Sequence, residues 1–286
     1  MKKKWLYSFF FLSSLSLEMF SFFPLGEAYI PSYSMILSHL ADAQGKGGYL
    51  IEQEVVFKEG AEPLFLKEIW WIASSQEMRL DVVSAKKTLK KKDIQAGGSS
   101  KLYLRFLYKG GKKIFRDENS RLQRHPLSPY HLEKPFHLRS EEKLRKLFSL
   151  WRVAPYEAPE RKEGQGSDSF TRLSRKGGVI QYQIGKGLSH VWVEQDEFVI
   201  RSWKWASGES LSAGAYVLYP GSLFYPSFKV FRQNAMEVGM QTQKVKRWKG
   251  NKKQMRIKIL SKKNTLPDHL SSVEQDRIRE FYAKFR

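Results

Sequence analysis

From residue 49 onward, apolar and polar positions alternate with a period of two in one segment after another. "YLIEQEVVF" (49–57), "LFLKEIWWIA" (64–73), "MRLDVVS" (78–84), "LYLRFLY" (102–108) and "KKIFR" (112–116) are rich in β-branched and aromatic residues. Gly, Ser, Asn or Pro signals bound each of them, so all five read as strands. Connections such as "KEGAEP", "ASSQE" and "KGG" are too short for crossover helices and predict consecutive antiparallel hairpins. The pattern resumes later in "FTRLSR", "GVIQYQIG", "HVWVEQD", "FVIRSWKWA", "AYVLYP", "SFKVFR", "MEVGMQTQKVKRW" and "QMRIKIL". Three segments switch to helical spacing. "PSYSMILSHLADAQ" (31–44) puts Met35, Ile36, Leu40 and Ala43 on one face. "SEEKLRKLFSLWRV" (140–153) has Ser140 at the cap position, acids in its first turn, and Leu144, Leu147, Phe148 and Trp151 at i, i+3, i+4, i+7. "DHLSSVEQDRIREFYAKFR" (268–286) closes the chain as an amphipathic helix. The expected order is helix, five strands, helix, eight strands, helix. Its fold class is mainly β (α+β): one antiparallel sheet curled into a half-barrel, with helices packed in its concave mouth.

Adjacent Trp70 and Trp71 sharpen that picture, because neighbours in a strand face opposite ways. One ring belongs to the concave core, and the other is expected on the convex or rim surface.

The N-terminus changes the organisation. Lys2, Lys3 and Lys4 precede an apolar stretch from Trp5 to Leu17, and Gly26 and Ala28 suit a cleavage site. This is the layout of a secretory signal peptide (1–28), with an uncleaved anchor as the rival reading. The remaining 29–286 reads as a single domain, periplasmic once exported. Removing the segment takes away three lysines and two glutamates, so the net charge of +21 becomes +20. Such a charge favours anionic partners, while lysine-rich usage across a whole proteome explains it equally well. With no cysteine, the chain has no disulfide and no thiol nucleophile. The run "KKTLKKKD" (86–93) reads as a solvated loop or edge, and 154–168 as a polar loop.

The segments "ILSHLADAQGKGGYLIEQEVVF", "FLKEIWWIASSQEMRLDVV" and "LYKGGKKIF" together resemble the bacterial outer-membrane lipoprotein-sorting carriers, the LolA/LolB-like superfamily that includes RseB-type regulators. In that pattern an N-terminal helix leads into the meander, and the 140–151 helix takes the place of a lid. The chain departs from it by lacking a Pro in "ASSQE" and by carrying an additional terminal helix. The resemblance implies an exported lipid or lipoprotein carrier, or an envelope sensor, holding an acyl chain in an apolar cavity. It implies no catalysis, no cofactor, and a monomer. The residues expected to line the cavity are Trp70, Trp71, Leu80, Leu104, Phe106, Leu144, Leu147, Phe148, Trp151, Trp192 and Trp203. Each of them is equally suited to an ordinary core. The rival class is a non-catalytic envelope protein whose basic face meets an anionic polymer or membrane surface.

Reactive chemistry finds little support. His125, His131 and His137 recur at six-residue intervals among prolines, too far apart for a compact ligand set, and read as solvent-facing loop residues. No GxSxG is present, and "GGVIQYQIGKG" lacks the strand–turn–helix context of a phosphate loop. The stretch 241–263 is basic, with Trp248 interleaved. It reads as a solvated strand pair or a patch facing an anionic membrane, and no specific nucleic acid is expected.

Overall fold

A computed structural model describes residues 30–58, 63–85, 101–155, 170–250, 252–260, 263–267 and 270–286. The expected signal peptide, the 86–93 loop and most of the 154–168 loop lie outside the described residues.

Alternation along the chain produces one antiparallel sheet of 13 strands. The first six are β1 (Gly48–Phe57), β2 (Leu64–Ser74), β3 (Glu77–Ser84), β4 (Leu102–Lys109), β5 (Lys112–Arg116) and β6 (Leu122–Pro126). The other seven are β7 (Thr171–Lys176), β8 (Val179–Ile184), β9 (His190–Glu194), β10 (Ile200–Lys204), β11 (Ser210–Tyr219), β12 (Leu223–Gln233) and β13 (Met236–Trp248). Two meanders join where β1 pairs with β13, and β6 and β7 are the free edges of an unclosed half-barrel. Hairpin turns carry their own reasons. Gly110 and Gly111 both adopt positive φ, 58° and 72°, the geometry that a two-residue turn between right-twisted strands requires.

Three helices follow the sequence reading: α1 (Tyr33–Asp42), α2 (Glu141–Leu150) and α3 (Ser272–Lys284). The Ser32 side chain caps α1, and Ser271 and Glu274 form a full capping box on α3. Ser140 stands at the N-cap of α2 without a side-chain cap bond. Glu141 instead accepts from Ser34 of α1 at 2.6 Å.

Register sorts the side chains onto two faces. Ile51, Trp70, Leu80 and Phe106 line up across β1–β4 on the concave face. Across the other meander the equivalent row is Val191, Trp203, Leu211, Phe231 and Val238. On the convex face, Trp71, Arg79, Leu107 and Ile114 form a parallel row.

Two expectations change here. The histidine-bearing stretch contributes an extra strand, β6, pairing Leu122–Pro126 with β5. "QMRIKIL" is not a strand. It forms 3-10 turns, Lys252–Met255 and Ile257–Ile259, that cross the convex face and bury Met255 and Leu260 against Leu107 and Ile114. Trp71 and Trp248 pack around this cluster, so the convex side of the first meander is covered there. Asp81 fixes the cover from below by accepting from Arg79 and Arg105. Arg105 also donates to the Ile259 carbonyl at 3.0 Å. Both tryptophans therefore pack, one on each side of the sheet.

Candidate functional site

The eleven residues expected to share a cavity fall into separate places. Leu144, Leu147, Phe148 and Trp151 form the buried face of α2. Trp151 stacks on Trp203 at 5.3 Å and meets Trp205 edge-on at 5.4 Å, and its indole donates to the Pro129 carbonyl at 2.7 Å. This helix lies on a filled aromatic stack rather than lidding an open space. Trp70 and Leu80 are fully buried, Trp70 beneath His131 of the 127–138 loop and Arg286 at the end of α3. Trp70 faces Tyr108 at 5.7 Å and His131 at 5.8 Å. Trp71 and Trp192 require correction. Strand alternation puts them on the convex side, Trp71 against Arg79 at 4.1 Å and Trp192 under Lys176 at 5.1 Å. Neither lies with the concave residues. Leu104 and Phe106 border an apolar cleft beside α3, and Leu147 reaches the edge of a second cleft.

The middle of the trough is ionic, and the sequence reading missed it. Glu68 of β2, Lys229 of β12, Glu133 of the loop and Arg286 after α3 are all fully buried. Lys229 Nζ donates to Glu133 at 2.7 Å, and the Arg286 guanidinium meets both Glu68 oxygens at 3.1 Å. Arg286 also lies 3.7 Å from Glu133. Tyr225 donates to Glu133 and accepts from Gln53 at 2.8 Å, and the Trp70 indole donates to Glu68 at 2.9 Å. Burial works to raise the Glu133 carboxyl, but Lys229 and His137 outweigh it and hold it well below the usual carboxylate range. Burial pushes His137 down despite its 3.1 Å contact with Glu133, and pushes His131 well below the ordinary imidazole value. These two histidines, expected to face solvent, are thus interior.

Two carboxylates and two cations balance in charge, which a buried cluster requires to be tolerable at all. The cluster links both meanders, the loop and the end of α3. The inward parity of Glu68 (with Leu66, Trp70 and Ile72) and of Lys229 (with Tyr225 and Phe231) was the sequence signal for it.

The apolar cleft, of about 460 Å³, opens between β4–β6 and α3. Its floor is Leu104, Phe106 and Phe115, and its far wall is Leu266, Tyr282 and Ala283. Phe106 stacks on Tyr282 at 6.1 Å and touches Phe115 at 5.6 Å. Asp117, Glu118, Asn119 and Arg279 make a mixed polar rim, across which Arg279 and Glu118 form an ion pair. At one end the Lys113 ammonium donates to the carbonyls of Tyr282, Ala283 (3.3 Å) and Arg286 (2.7 Å), closing the last turn of α3. Burial lowers Lys113 to about 7.

A second cleft, of about 430 Å³, runs between the β4–β5 turn and the outer side of α2. Lys109, Lys134, Lys143 and Lys146 line it, with Glu142 and the leucines Leu127, Leu147 and Leu150. The two clefts flank the same stretch of chain, Pro126 bordering the first and Leu127 the second.

No family model matches the chain, and no curated protein matches it. Solved structures do. A domain described as an outer membrane lipoprotein-sorting protein, from Vibrio parahaemolyticus, superposes with a TM-score of 0.50 at 11% identity, over 81% of this chain and 98% of that one. A DUF1329 family protein from Desulfovibrio piger matches with a TM-score of 0.50 at 9% identity, over 80% and 98%. At such identities the likeness is one of fold: this chain has the same half-barrel fold as those two structures.

Proposed function

We propose that this protein is an exported, non-catalytic carrier or sensor that holds an acyl chain of a lipid or lipoprotein in the cleft between β4–β6 and α3. The observation that carries the reading is the cleft itself, an apolar trough of about 460 Å³ on the concave side of this fold, floored by Leu104, Phe106 and Phe115. Each buried CH₂ contributes about 0.8 kcal/mol. Burying roughly eight would supply about 6 kcal/mol before the entropic cost of association, so capture needs no reactive group. The mixed-charge rim leaves the mouth wet, as suits a ligand with a polar head. Helix α3, one wall of the cleft, is also the element whose movement would widen it for a longer chain.

Binding of a fluorescent fatty-acyl probe tests this. Ala283 is exposed and lines the cleft, so Ala283→Trp fills the space without burying a charge. Probe binding by the unmodified protein and its loss in Ala283→Trp, with melting unchanged, are expected. A probe that never binds, or that binds both proteins alike, would rule out this cleft as the acyl site.

A second reading, attachment to anionic polymers or membrane surfaces through a basic face, is favoured by the four lysines of the second cleft.

A further inference from the structure

We propose that the cleft between the β4–β5 turn and α2 binds a phosphate group, with Lys134, Lys143 and Lys146 as its ligands. Lys143 and Lys146 are three residues apart on α2, hence neighbours on one helix face, and Lys134 approaches the same space from the loop below. Among the described residues none of these three ammonium groups has a carboxylate within ion-pair distance, whereas Lys109, at the cleft's edge, is matched by Glu77 at 2.9 Å. Glu142 is the single acid in the lining. Three like charges gathered around a single acid repel one another, and Lys134 is half-buried as well. Its burial and the nearby Lys146 both depress its proton affinity. A multiply charged anion seated between them reverses that cost.

The donor chemistry narrows the anion. A flat carboxylate is best matched by the planar fork of an arginine, and this cleft holds none. Compact ammonium charges suit a phosphate, whose oxygens accept from several directions.

The cleft's other wall is apolar. Leu150 is 57% exposed beside the lysines, and Leu127 leads directly to Pro126 at the border of the acyl cleft. A phosphate carried by a lipid could place its head here and its tail toward that cleft. This attribution to a lipid rests on the acyl-chain reading; the phosphate site itself does not.

Calorimetric titration separates the two. The protein is titrated with inorganic phosphate, with monomeric dihexanoyl phosphatidic acid, and with uncharged dihexanoyl glycerol. Phosphatidic acid is expected to bind and to weaken at least about tenfold in Lys134→Gln/Lys146→Gln and in Lys143→Gln/Lys146→Gln. The exposed pair Lys186→Gln/Lys204→Gln, elsewhere on the surface, should bind as the unmodified protein does. Tighter binding of phosphatidic acid than of phosphate, an advantage lost in Ala283→Trp, identifies a lipid head as the source. Equal affinities, lost alike in the lysine variants, identify free phosphate, so that the site stands while the acyl-chain reading fails here. Phosphatidic acid binding that the lysine variants leave intact, or glycerol lipid that binds equally well, would overturn the phosphate site.

Discussion

Helices α2 and α3 lie against one sheet and are held there by opposite means. Helix α2 packs Trp151 on Trp203 at 5.3 Å and Trp205 at 5.4 Å, with Phe148 stacked behind Trp151 at 5.7 Å. Helix α3 is apolar along its middle, where Phe281 meets Phe57 at 5.3 Å and Phe231 at 5.6 Å. Its end is tied by ions: Arg286 to Glu68 and Glu133, and Lys113 to the last carbonyls. Aromatic packing has no titrating group of its own. A buried ionic tie depends on every partner keeping its charge. The same scaffold thus carries one helix fixed by packing and one whose docking is conditional, and the apolar cleft proposed for an acyl chain lies beside the conditional one.

The contrast can be broken most forcefully at the ionic tie. Lys229→Met leaves Glu133 with one cation fewer in a fully buried site and is expected to cost about 3–5 kcal/mol. The double variant Glu133→Leu/Lys229→Met should recover much of that loss, because an apolar pair needs no compensation. Denaturant titration of both variants measures the difference. On the other helix, Trp151→Ala is expected to cost about 3–5 kcal/mol through an unfilled cavity, a loss that involves no titrating group.

Acid should then separate the helices. An imidazole held below its ordinary value takes up its proton later in the folded chain than in the unfolded one. The stability that His131 and His137 contribute is therefore complete above about pH 6.5 and is lost as pH falls from there through their lowered folded values. The charges acting on them are Glu133 on one side and Lys113, Lys134, Arg139, Lys229 and Arg286 on the other, so a proton added here meets five cations against one carboxylate. Hydrogen exchange followed from pH 7.5 to 5 should show α3 losing protection before α2. Equal loss in both would mean that the tie is not selective.

The smallest expected effect lies at the helix starts. Ser271 anchors a capping box and Ser140 makes no side-chain cap bond. Ser271→Ala should cost about 1 kcal/mol, and Ser140→Ala clearly less, by thermal melting.

Much of this architecture is legible in the alternation of side chains. A strand half-buried in a sheet repeats every two residues, and all three helices announce themselves by 3.6-residue spacing of their apolar positions. "QMRIKIL" shows the limit of that reading. Any segment laid across an apolar surface can bury every second or third residue, and here Met255 and Leu260 do so in 3-10 turns. Strand β6 is obscured by the opposite cause, since an edge strand of polar residues ending in Pro126 buries too little to leave a pattern. The site was harder to read than the fold. Trp71 and Trp192 share the aromatic character of the concave residues, and register alone separates them. The parity of Glu68 and Lys229 pointed inward, yet no local pattern joins Glu68 to Arg286, a partner 218 residues away.

Photocrosslinking with a fatty acid that carries a diazirine at its tail tests the acyl site most directly. After irradiation and proteolysis, the label is expected on peptides from β4–β6 and from α3, including Phe106, Phe115 and Tyr282, and competing unlabelled fatty acid should abolish it. Label confined to the α2 face, spread over the surface, or undiminished by competitor would contradict an acyl chain held between β4–β6 and α3.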